Sequence, residues 1–193
     1  MAKSIQILST KILSPLQKEE LKKAGFDLIE ADFIKTENKP FQLKDLNESL
    51  IFTSQNAVHS VLSHPDSEQL KKKNVYCVGL KTKTLLSDNG FNVVAYTGYA
   101  ADLAEIITLI YGNESYTFFS GNLRRDTLPN ALKEAGIKLN EIQVYDTSLQ
   151  PQKIKTAVDA LLFFSPSGVE SYLKENTIKK EVCFCIGDTT AEA

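Results

Sequence analysis

Residues 51–62 read IFTSQNAVHSVL, and residues 162–173 read LFFSPSGVESYL. Each is an apolar run, a hydroxyl-rich break and an amphipathic segment, and position 51 maps onto position 162, an offset of 111. A second pair keeps that offset: LKKAGF starts at Leu21 and LKEAGI at Leu132. A third pair, VYCVGLKT from Val75 and CFCIGDTT from Cys183, follows after a three-residue deletion. Separate matches at one offset mark a duplication, and a period this long means duplicated domains rather than a solenoid.

Outward from these stretches, short apolar runs alternate with polar segments of helical period. Candidate strands lie at residues 5–8, 27–29, 50–53, 75–78, 92–96, 116–119, 142–145, 161–164 and 182–186. Helices fill most gaps between them. The first is well signalled: Ser14 can cap, Pro15 suits the first turn, and Gln17 completes a capping box. Gly25 fits the left-handed position after its last turn. Such alternation predicts an α/β protein with parallel sheets and helices on their faces.

The chain has 193 residues, a length between one domain and two. Hydrophobic residues make up 42 % and charged residues 24 %, enough for one sizeable core or two small ones. The formal net charge is -2, and the densest basic run, Lys71-Lys72-Lys73, reads as a solvated turn rather than a nucleic-acid patch. Neither a signal peptide nor a membrane-spanning run is visible, so a cytoplasmic location is expected. Cys77, Cys183 and Cys185 are odd in number and sit in apolar runs, which predicts buried, reduced thiols rather than disulfides or zinc ligands. His59 and His64 are too poorly spaced to share a metal on a helix, and no metal site is expected.

Five loops share one design, a strand end followed by small or hydroxylated residues and a helix start. They are Thr53-Ser54-Gln55-Asn56, Gly79-Leu80-Lys81-Thr82, Ser120-Gly121-Asn122-Leu123-Arg124, Ser165-Pro166-Ser167-Gly168 and Gly187-Asp188-Thr189-Thr190. Ligands of open α/β sheets bind at the carboxyl ends of strands, and helix N-termini favour anions. Taken singly, each loop is explained as well by ordinary capping. Five at equivalent places shift the balance toward a ligand site. None has the spacing of a nucleotide-phosphate loop, so no nucleotide cofactor is indicated. Tyr145 ends the run IQVY and stands near a strand exit. From the residues alone it is an amphipathic core tyrosine.

The order TSQNAV, VYCVGLKT, SGNLRRDTLPNALKEAGI, VYDT, FFSPSGVESYL, CIGDTTAEA resembles the uroporphyrinogen-III synthase family over nearly the whole chain. The resemblance implies two flavodoxin-like parallel-sheet lobes joined by a two-stranded connector. The first lobe would take residues 1–35 and 150–193, and the second 36–149. It implies a cyclising lyase that closes hydroxymethylbilane, a linear tetrapyrrole polycarboxylate, with inversion of the last ring and loss of water, without cofactor or metal. A cytoplasmic monomer with a small-molecule substrate is expected, and neither nucleic acid nor membrane as partner. The family's tyrosine falls on Tyr145, which becomes the catalytic candidate. Ser54, Thr82, Asn122, Ser165, Ser167, Thr189 and Thr190 become candidates for substrate binding in a cleft between the lobes. Lys83 after Thr82 and Asp188 after Gly187 depart from the family's usual residues. Only six residues follow Gly187, against a further helix, strand and helix after Gly79, so the first lobe is expected to be C-terminally truncated. The alternative reading is a non-catalytic two-lobed module for small anions. A glycosyl- or phosphoryl-transfer enzyme is weaker, since neither a phosphate loop nor paired catalytic carboxylates is visible.

Overall fold

A computed structural model of the chain describes residues 4–193. The strands are β1 (Ile5–Ser9), β2 (Phe26–Glu30), β3 (Ile34–Asn38), β4 (Ser49–Phe52), β5 (Asn74–Val78), β6 (Asn92–Thr97), β7 (Tyr116–Gly121), β8 (Leu139–Leu149), β9 (Ala160–Phe163) and β10 (Val182–Cys185). The helices are α1 (Pro15–Lys23), α2 (Gln55–Leu62), α3 (Leu80–Asp88), α4 (Ala100–Ile110), α5 (Thr127–Glu134), α6 (Pro166–Glu175) and α7 (Asp188–Ala191). Two sheets result, one ordered β10-β9-β1-β2 and the other β3-β8-β7-β4-β5-β6. The chain divides into two compact units, one holding the residues up to Lys35 with Ser148–Ala193, the other Thr36–Thr147.

In the second unit β4, β5, β6, β7 and β8 are parallel neighbours. Every residue of β4 is buried, as expected of a central parallel strand covered on both faces. Leu50, Phe52, Val75, Cys77 and Phe119 pack with α2 and α3, while Ile51, Tyr76, Tyr116 and Phe118 pack with α4 and α5. The strand period of two sorts these residues to opposite faces. In the first unit Leu8, Leu161, Phe163, Val169 and Tyr172 form the core with Phe33.

The duplication is visible in the pairing. Ser49↔Asn74, Ile51↔Tyr76 and Phe52↔Cys77 in the second unit become Ala160↔Val182, Leu162↔Phe184 and Phe163↔Cys185 in the first. These are the partners the two sequence offsets require. Gly25 and Gly136, also related by 111, both adopt positive φ after a helix, at 83° and 72°. The capping box at Ser14 and Gln17 forms as expected.

Several sequence expectations need correction. β3 was not among the strands read from apolar runs, because IKTEN lacks one, and only the two-stranded connector implied by the resemblance covers it; it pairs with β8. Lys39 N–H donates to the Val144 carbonyl and Gln150 N–H to that of Phe33, so partners fall from 150 to 144 as the other strand rises from 33 to 39, an antiparallel run. Tyr145 is not at a strand exit, since β8 continues to Leu149. Lys71 and Lys72 close a 3-10 helix at Ser67–Lys72, and Lys73, just after it, donates from Nζ to the Asn47 carbonyl at 2.6 Å. Of the cysteines only Cys77 is buried, and Cys183 is exposed. β10 has a neighbour on one edge only, and Val182, Phe184 and Ile186 are 57 %, 57 % and 62 % exposed. Tyr76, the counterpart of Phe184, is covered by α4 residues in the second unit.

Candidate active site

In each unit the candidate residues lie near the carboxyl ends of parallel strands. In the second unit the order β8-β7-β4-β5 sets Tyr145, Asn122, Ser54 and Thr82 along one rim. In the first unit the order β10-β9-β1 sets Thr189 and Thr190 beside Ser165 and Ser167, with the β1 loop next.

Ser54 and Ser165 cap their helices. Ser54 Oγ accepts from Asn56 N–H at 3.1 Å, and Ser165 Oγ accepts from Gly168 N–H at 3.0 Å. Ser167 Oγ lies 3.1 Å from Ser165 Oγ. These bonds satisfy one donor each, and the remaining first-turn N–H groups of α2 and α6 have no intrahelical acceptor. Thr82 and Thr190, equivalent under the 108-residue offset, are both buried, at 5 % and 4 % exposure. A depression of about 370 Å³ between the start of α2 and one face of α3 is lined by Gln55, Leu80, Lys81, Thr84, Leu85 and Asp88.

The densest constellation surrounds Tyr145. β7 and β8 pair in steady register up to Ser120↔Gln143, then shift so that Gly121 stands opposite Tyr145. The extra residue, Val144, is buried, and its carbonyl accepts from Ser60 Oγ and Lys39 N–H. The Tyr145 ring lies on Gly121: a Cβ there would come within 2.3 Å of Cζ and 2.8 Å of the hydroxyl oxygen. Asn122 grips the next turn of β8, with Nδ2 donating to the Thr147 carbonyl at 3.0 Å and Oδ1 accepting from Thr147 N–H at 2.7 Å. Arg124 Nε and Nη2 donate to the two Glu141 oxygens at 2.7 and 2.8 Å, and Asp126 also pairs with Arg124. Ser120 Oγ donates to Glu141 at 2.6 Å. The Arg124 guanidinium holds the Glu141 carboxyl below the usual carboxylate range, against the opposing effect of burial.

Sequence reasoning passed over the β1 loop. Moving Ser120-Gly121-Asn122 back by 111 lands on Ser9-Thr10-Lys11, so the repeat held the signal. Thr10 Oγ1 donates to the Leu162 carbonyl at 2.8 Å, and Lys11 Nζ stands 4.5 Å from the Phe164 ring centroid. Among the described residues no cluster of three or more metal-ligating side chains occurs, and no helix is long and apolar enough to cross a membrane. Ser49, Tyr76 and Glu114 form another polar knot, with both hydroxyls donating to the carboxylate. It lies at the amino ends of the strands, far along the sheet from the loops.

A parallel α/β scaffold with hydroxyl, amide and helix-start groups on its carboxyl rims defines a protein that engages a small polar ligand there. The family model described as uroporphyrinogen-III synthase HemD matches residues 17–193. A crystal structure of uroporphyrinogen-III synthetase from Helicobacter pylori is similar at a TM-score of 0.71 and 22 % identity, covering 97 % of this chain and 86 % of that one. A mutant uroporphyrinogen III synthase from Thermus thermophilus gives 0.71 and 16 %, covering 98 % and 87 %. The wild-type Thermus thermophilus enzyme in another crystal form gives 0.57 and 19 %, covering 98 % and 87 %. These structures support the fold. The chain belongs to the uroporphyrinogen-III synthase family, the cyclising lyases of tetrapyrrole biosynthesis.

Proposed function

We propose that in this chain Tyr145 is the proton donor for cyclisation of hydroxymethylbilane, and that the rim loops hold the substrate's acetate and propionate groups. The observation that carries this is a phenol opposite Gly121, the last residue of β7, in a chain matched by the family model over residues 17–193. The Tyr145 O–H gives its proton to the departing hydroxyl, the C–O bond breaks and water leaves. The azafulvene-like cation that remains is attacked by the already substituted α-carbon of the last pyrrole, the older bond from that carbon to its methylene breaks to leave a second such cation, and the free α-carbon of the same ring attacks it, so the ring is inverted as the macrocycle closes. Loss of a proton then restores aromaticity and returns the phenol. Atoms balance as one bilane giving one macrocycle and one water.

Carboxylates suit the first-turn N–H groups beside Ser54, Ser165 and Ser167, which need no strongly basic protein. Thr82, Thr189 and Thr190 keep the corresponding loops in shape. Lys11 and Lys81 add positive charge at each rim. The segments 1–35 with 150–193, and 36–149, would act as the two binding halves of a cytoplasmic monomer. Holding the bilane in one geometry supplies much of the rate.

Tyr145→Phe keeps the ring and removes the proton. With fresh hydroxymethylbilane and isomer-resolved product analysis, single-turnover rates should fall about one hundred-fold or more. An unchanged rate would reduce Tyr145 to packing.

A further inference from the structure

We infer that Gly121, Asn122 and the bulge at Val144 form a device that aims Tyr145, so that Asn122 is a positioning residue and not a substrate ligand. The inference rests on the catalytic assignment of Tyr145 above, but its geometry stands by itself. Three independent observations converge on one side chain.

The first is the register shift. An unbroken pairing would set Val144 opposite Gly121, and the shift sets Tyr145 there instead. Bulges re-aim side chains and are over-represented beside active sites, yet they are rare in parallel pairs. The buried Val144 carbonyl, bonded to Ser60 and Lys39, keeps the extra residue in place. The second is the missing Cβ. The phenol ring occupies the volume a side chain at position 121 would need, and its hydroxyl oxygen is within 2.8 Å of that point. Gly121 is not a positive-φ residue, so close approach rather than backbone freedom demands glycine. The third is the two-point clamp. Arg124 holds β8 four residues before Tyr145, and Asn122 holds it two residues after, through both polar groups of Thr147. Arg124 N–H donating to the Gly121 carbonyl at 3.3 Å ties the clamp into one turn. An amide with its oxygen and one N–H engaged by backbone is poorly placed to serve a carboxylate.

Gly121→Ala should displace the ring by the order of an ångström and lower kcat about one hundred-fold with little change in KM. In the Tyr145→Phe background the same substitution should add almost nothing. A full additional loss there would overturn the positioning role, because the effect would then not pass through the hydroxyl. A 3-fluorotyrosine at position 145 gives a readout without turnover. Gly121→Ala must move or broaden its fluorine resonance, and an unmoved resonance overturns the inference even if activity falls. Should Tyr145→Phe be fully active while the resonance still moves, the catalytic assignment fails and the aiming device survives. Asn122→Ala should speed hydrogen exchange at the Thr147 amide about tenfold, and Asn122→Asp, which keeps the acceptor, should restore protection. A raised KM with unchanged kcat and unchanged Thr147 exchange in Asn122→Ala would make Asn122 a ligand and reject the inference.

Discussion

Cys77 and Cys183 should separate sharply in reactivity. Cys77 is buried, and burial pushes its thiol up to about 11, whereas Cys183 is exposed at the sheet edge. A thiolate reagent at neutral pH should therefore label Cys183 in the folded protein and reach Cys77 only after unfolding. Mass mapping of a short labelling pulse checks this, and early labelling of Cys77 would contradict its burial. Glu141 sets a pH dependence of definite sign. Its folded-state pKa is lowered, first by Arg124 and then by Ser120, with burial opposing. The pair thus contributes stability above the unfolded carboxyl value of about 4.3, and that contribution is lost as pH falls through the lower folded value. Between pH 5 and the acid limb, urea midpoints should fall more steeply for the parent than for Glu141→Gln.

Among the elements, α1 depends on its start. None of its residues is buried, while Ser14 and Gln17 exchange bonds in a complete capping box. Ser14→Ala should cost about 1 kcal/mol, read from the urea midpoint. This helix was fully legible, since capping is written in four consecutive residues. β3 was not: IKTEN carries no run of apolar residues and is a strand because β8 extends past the end of β7 and offers it an edge. The same extension moved Tyr145 from a presumed strand exit to mid-strand. Asn122 shows the limit most clearly. Its place in a strand-to-helix loop was readable, but its engagement with Thr147, 25 residues on, depends on a bulge that no local pattern announces.

For the whole molecule, the buried residues form three clusters, one on each face of the second unit's sheet and one in the first unit. Ile51 packs with α4 and α5 residues, and Val169 packs with Leu8, Phe33, Leu161, Phe163 and Tyr172. Ile51→Val should cost roughly 1 kcal/mol and Val169→Ala roughly 2 kcal/mol. Sharing no buried partner, they should add to within about 0.5 kcal/mol in the double variant. A larger deviation in urea unfolding would reveal coupling between the clusters that hold Ile51 and Val169. The amino-acid sequence by itself determined the α/β class and the duplication, because apolar periodicity and a constant offset are properties of order along the chain. Ser54 and Ser165 as helix caps were likewise local. Only the tertiary structure decided which residue stands opposite Gly121 and what the Asn122 amide holds. Both depend on contacts across about 25 residues of chain, where a shift of one position changes the partner but leaves the local pattern intact.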